Sequence, residues 1–319
     1  MISYKRILVP VDFSEASKKA VTYAMTIASQ TNAKLFIAHI VQDTSAMNYT
    51  FPSETYEVEK QQYEAAKRQI QKLIPEECAG MFDVEMIVKT GNVDSELLGI
   101  AEEEAVDLVV MGSHGRRHFG RWFIGSVTER LLRKLPVPVL SVSHVSPEKH
   151  AIELGLVSVH KILYAADLAE ASTVGMQYAI ELARGTGAKL TVAHVVDHTN
   201  FTLLTNTAAG YLETSKKMWV DSVTRKLHEL VAREKPPDMD IEVAILEGKP
   251  YEQILRFADD HGIDIIVLNL QSRGILERAF LGSTAERVVR LAHMPVLSVP
   301  VAVSEGYSSG ITTASVSER

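Results

Sequence analysis

The chain has 319 residues, 46% of them hydrophobic and 23% charged, with a mean hydropathy of +0.04 and a formal net charge of -7. At about 100 to 200 residues per domain, that length predicts two globular domains. A negative balance with a pI near 5.9 excludes a general electrostatic pull toward nucleic acid or an anionic membrane surface, and leaves open a small anionic ligand held by local groups.

The single cysteine, Cys78, excludes an intramolecular disulfide and has no metal-ligand spacing around it. A reducing compartment fits such usage. No run reaches the roughly 18 apolar residues of a membrane helix, and the first residues lead into an apolar run too short for a signal core. The expectation is an untargeted cytoplasmic protein.

In chain order, Ile7 to Val11 is a short β-branched run that predicts a strand. Ser14 to Gln30 predicts a helix, with Ser14 able to cap it and Ala16, Ala20, Ala24 and Ala28 along one face. Lys34 to Val41, Val84 to Val88, Asp107 to Met111 and Val137 to Val142 predict four more strands, all five buried on both faces as in a parallel sheet. Between them Tyr56 to Leu73, Val93 to Glu104 and Gly125 to Leu135 carry helical periodicity, and Pro136 ends the last helix.

The whole pattern then repeats. Lys5 to Asp12 reappears as His160 to Asp167, an offset of 155 that also pairs Ala33-Lys34-Leu35 with Ala188-Lys189-Leu190 and His39 with His194. Further on, Gly91, Asp107 and Gly125-Ser126 match Gly248, Asp264 and Gly282-Ser283 at an offset of 157. Val84 to Val142 and Ile241 to Val299 share 19 identities in 59 gapless positions, far above chance. These repeats predict domains over residues 1–145 and 157–303, a polar join that includes Pro147, Glu148 and Lys149, and a disordered tail over 304–319.

Alternating strands and helices with short loops imply right-handed crossovers and a doubly wound α/β sheet. In strand order 3-2-1-4-5, the ligand crevice lies beyond the carboxyl ends of the first and fourth strands. The loops after Val11 and Met111 should face each other there.

After the fourth strand the sequence reads Met111-Gly112-Ser113-His114-Gly115, then nine residues, then Gly125-Ser126-Val127-Thr128 at a helix start. Gly112 and Gly115 would let backbone N–H groups approach a phosphate chain, and the helix N-terminus would favour an anion. Each residue also has a plainer reading. The glycines serve as turns, Asp12 favours the first helix's dipole, and Ser126 caps its helix. Arg116, Arg117, His118 and Arg121 form a basic cluster with two readings, attraction of phosphate or simple solvation, of which solvation is favoured, and His39 and His194 read as hydrogen-bonded core histidines. His114 and His118 lack the rigid helical spacing of a zinc pair, so no metal site is expected.

The G-2x-G-9x-G-S spacing, with Val9-Pro10-Val11-Asp12 ending the first strand, resembles the ATP-binding universal stress proteins, and both halves resemble that family over nearly their whole length. The resemblance implies two tandem Rossmann-like domains of the adenine nucleotide alpha hydrolase type, each with five parallel strands, paired through Pro138 to Val142 and Pro295 to Val299. It implies ATP with Mg²⁺ as ligand. Pro10, Val11, Asp12, Ile40 and Val41 would surround the adenosine. Met111, Gly112, His114, Gly115, Gly125, Ser126, Val127 and Thr128 would surround the ribose and phosphates. It implies a nucleotide-responsive regulatory or protective protein in the stress response, with no catalytic residues and at most weak hydrolysis. A slow phosphoryl or nucleotidyl transferase and a scaffold that binds no nucleotide are the alternatives, and further homodimerisation stays open.

In the second half Asn269 and Ser272 stand where Gly112 and Gly115 stand in the first. Their side chains predict loss of ordinary ATP binding there, and so one nucleotide per chain.

Overall fold

A computed structural model describes residues 4–42, 52–76, 80–113, 124–143, 156–168, 172–197, 209–272 and 282–302. The first half runs β1 (Arg6–Pro10), α1 (Glu15–Thr31), β2 (Lys34–Gln42), α2 (Pro52–Gln71), β3 (Val84–Gly91), α3 (Val93–Glu103), β4 (Leu108–Gly112), α4 (Ser126–Lys134) and β5 (Val139–Val142). The second runs β6 (Lys161–Ala165), α5 (Ser172–Thr186), β7 (Lys189–Val196), α6 (Ala209–Glu234), β8 (Ile241–Glu247), α7 (Pro250–His261), β9 (Ile265–Ser272), α8 (Ser283–Leu291) and β10 (Val296–Ala302).

Each half is a doubly wound parallel sheet in the expected order. The two join into one ten-stranded sheet, β3-β2-β1-β4-β5-β10-β9-β6-β7-β8. Registers repeat with the sequence: Ile7 lies beside Leu108 and Ile162 beside Ile265. The seam is antiparallel, with Ser141 opposite Val296 and Val139 opposite Ser298. Apolar residues of both halves merge into one continuous cluster on each face.

Local chemistry accounts for the elements. Ser14 caps α1 by accepting the Ser17 N–H at 3.3 Å, and Asn32 closes that helix in the left-handed region. Ala16, Ala20, Ala24 and Ala28 are all buried. Asp107 ties the start of β4 to the start of β1 by accepting Lys5 N–H at 2.7 Å and Arg6 N–H at 3.1 Å, and Asp264 does the same for His160 and Lys161. Its recurrence at matching positions thus has a structural cause. One expectation is corrected: β3 is not buried on both faces. Glu85 and Met86 are exposed because β3 pairs only with β2, at the outer edge of the sheet.

Helix contacts complete the joint. The Tyr4 hydroxyl donates to the Tyr178 carbonyl at 3.2 Å, and the Val157 N–H donates to Thr26 Oγ1 at 2.9 Å. Among the described residues no helix is long and apolar enough to cross a membrane.

Candidate ligand cavity in the first half

The carboxyl ends of β1, β2 and β4 open into a cavity of about 650 Å³. Pro10, Val11, Asp12, Ile40, Val41, Met111, Gly112, Gly125, Ser126, Val127 and Thr128 all line it. Four stretches of chain named from sequence therefore converge on one space. His114 and Gly115 lie outside the described residues, as do Cys78, the cluster of Arg116, Arg117, His118 and Arg121, and the tail over 304–319.

At the β1 end, the Val11 N–H donates to the Ala38 carbonyl at 2.8 Å and extends the sheet by one residue. Phe13 then turns the chain with φ 63°, a left-handed conformation that costs a bulky residue about 1–3 kcal/mol, and Leu168 repeats it at φ 58°. Asp12 Oδ1 accepts from the Ser14 N–H at 3.0 Å and the Ser14 hydroxyl at 2.6 Å. Asp12 thus organises the start of α1 while lining the cavity, so its two readings are compatible.

His39 Nδ1 lies 2.7 Å from the Val11 carbonyl oxygen. That oxygen can only accept, so Nδ1 carries a hydrogen and donates it. The Phe13 ring leans on the imidazole at 4.6 Å. His194 makes the same bond to Ala166. Both histidines are hydrogen-bonded as expected, but His39 also lines the cavity.

At the β4 end, the Gly125 N–H donates to the Ser113 carbonyl at 2.8 Å, and Thr128 Oγ1 donates to the Gly112 carbonyl at 2.9 Å. These bonds aim α4 at the crevice. Gly125 is its N-cap and supplies no side-chain cap, so Ser126 is the first helical residue rather than the cap. The first-turn N–H groups have no intrahelical acceptor, and with the helix dipole they favour an anion.

The physical account of Gly112 changes. A Cβ there would stand 2.9 Å from Ala16 C and Ser17 N, in the first turn of α1. Gly112 lacks a side chain so that helix and strand can touch, whatever its backbone offers a ligand. The account of Asn269 changes with it. Its side chain turns inward, donating from Nδ2 to the Tyr164 hydroxyl at 3.2 Å, while a Cβ on Gly175 would fall 1.9 Å from its Oδ1. Asn269 therefore fills core space opened by Gly175, which stands where the first half has Ala20. The second half departs at its helix entry too: Gly282 has φ 76° where Gly125 has φ -59°, and Ala285 replaces Thr128 and its bond.

Sequence reasoning missed one wall. Gln62, Ala65, Ala66 and Gln69 of α2 line the cavity, as do Val93 and Leu97 of α3. Spacings of three and four on a helix that buries Ala66 and Ile70 were the available signal. Among the described residues no group of three or more His, Cys, Asp or Glu could hold a metal ion.

A doubly wound sheet with a cavity at its switch point, and a helix N-terminus entering it, defines the class as a doubly wound α/β protein with an open crevice at the carboxyl ends of its strands. The universal stress protein family model matches residues 3–143 and 158–300. The chain belongs to the universal stress protein family, which supports a part in the stress response. Two universal stress proteins of Methanocaldococcus jannaschii are similar: one is 28% identical over 44% of this chain and 96% of its own, the other 32% over 44% and 81%. A universal stress protein from Archaeoglobus fulgidus shares the fold over 93% of this chain and 98% of its own, with TM-score 0.67 and 20% identity.

Proposed function

We propose that the first half binds ATP with Mg²⁺ and that occupancy regulates how the protein acts in the stress response. The observation that carries this reading is the convergence of the β1, β2 and β4 ends and the α4 N-terminus on one cavity. A volume of about 650 Å³ falls within the ordinary range of small-molecule sites, about 300–1,000 Å³. Val11, Ile40, Leu97 and Met111 give it an apolar lining, and the α4 N-terminus gives it a place for phosphate. With no metal-ligating cluster among the described residues, Mg²⁺ would be held chiefly by the phosphates themselves.

Residues 1–145 form the nucleotide domain and 157–303 its partner in this reading. The inward Asn269 and altered Gly282 favour one nucleotide per chain. Native mass spectrometry of freshly purified, undialysed protein, followed by calorimetric titration with ATP and Mg²⁺, tests it. One adenine nucleotide per chain is expected. Two would place a site in the second half, and none, with no heat on titration, would leave the scaffold reading.

A further inference from the structure

The cavity has two chemically different ends. The sheet order puts β4 and α4 on one side of β1, and β2 with α2 on the other, so these ends stand about two strand spacings, or about 10 Å, apart. The α4 end favours an anion. The α2 end is lined by Gln62, Gln69, Gln42 and His39, and no lysine or arginine lines the cavity among the described residues. Ala65 and Ala66 keep the helix wall low between the two α2 glutamines, which share one helix face seven residues apart. Neither α2 carboxamide has a hydrogen-bonding partner among the described residues.

The second half has built this wall differently. Ile70, Leu73 and Ile74 correspond at the 157 offset to Leu227, Leu230 and Val231, and in that register Gln62 becomes Trp219 and Gln69 becomes Lys226. The paired neutral carboxamide wall therefore belongs to the first half alone.

We propose that Gln62 and Gln69 are specificity-determining residues that read the edge of the nucleobase and select adenine over guanine. The proposal rests on the nucleotide reading above. A carboxamide presents one donor and one acceptor side by side, which matches the amino group and adjacent ring nitrogen of adenine. Guanine offers two acceptors on the corresponding edge and calls for two donors, as an arginine supplies. An anion anchored at α4 leaves the base at the α2 end, where the carboxamides of Gln62 and Gln69 line the cavity.

Calorimetry with ATP, GTP, adenosine and inorganic tripolyphosphate on wild type and on Gln62→Ala/Gln69→Ala tests this. Both positions are exposed, so the fold should survive, and circular dichroism checks that it does. The variant should bind ATP and adenosine about tenfold more weakly, lose its preference for ATP over GTP, and bind tripolyphosphate as wild type does. An unchanged ATP-to-GTP ratio with ATP binding intact overturns the base-reading role alone. Equal weakening of tripolyphosphate also overturns it, since the glutamines would then act on the whole site. If wild type binds neither ATP nor GTP, the nucleotide reading itself fails.

Discussion

Asn269 Oδ1 lies 1.9 Å from the point where a Cβ would stand on Gly175. The two halves thus solve one packing problem in opposite ways: a bare strand end under Ala16 and Ser17 in the first, an asparagine under the bare Gly175 in the second.

Gly175→Ala should therefore destabilise the protein by about 1–3 kcal/mol, although alanine is the better helix former by about 1 kcal/mol. Asn269→Gly in the same chain should recover most of that loss, giving a coupling that a double-mutant cycle in urea detects. Additive effects would mean that the asparagine side chain lies elsewhere.

The joint between α3 and α4 is electrostatic, and the matching joint between α7 and α8 is aromatic. Arg130 donates to Asp94 at 3.2 Å, while at the matching positions Arg287 sits 4.7 Å over the Tyr251 ring. With Arg130 about half exposed, Asp94→Asn should cost at most about 1 kcal/mol, and less in high salt. Arg287→Gln should cost about 0.5–1 kcal/mol and change little with salt. Urea midpoints of both variants at low and high ionic strength separate the two cases.

Burial pushes the Tyr23 phenol up to about 12, and the Asp264 carboxylate from the other half adds to the shift. A phenol whose folded value is raised holds its proton more tightly when folded. Its stabilisation is full below pH 10 and is lost as pH climbs from 10 toward about 12. The urea midpoint should fall across that window, and less steeply in Tyr23→Phe. The shift is wrong if tyrosinate absorbance shows Tyr23 ionising with exposed phenols while the fold is intact.

The two-fold repeat, the strand and helix order and the lining residues at the ends of β1 and β4 were legible in the sequence, while at the β2 end Ala38, His39 and Gln42 were missed. β-branched runs, alanine stripes and helix caps are short-range signals, and Asp107 and Asp264 repeat because each domain must close the same strand pair. The α2 wall was not legible as a site, because glutamines on a helix read as solvent-facing until the sheet order places β2 beside them. Nor could the sequence say why Gly112 lacks a side chain: a glycine after a strand suits a phosphate turn and a helix contact equally well.

Residue order by itself thus determined the family, the doubly wound halves and the crevice where a ligand would enter, since each follows from local periodicity and its repetition. Only the tertiary structure decided that Asn269 turns into the core and that Phe13 and Leu168 carry the left-handed turns, and it set the antiparallel register, Ser141 opposite Val296, of the β5–β10 seam that the family resemblance implied. The asparagine and the seam depend on groups that meet across more than a hundred residues of chain, and no local pattern encodes such meetings.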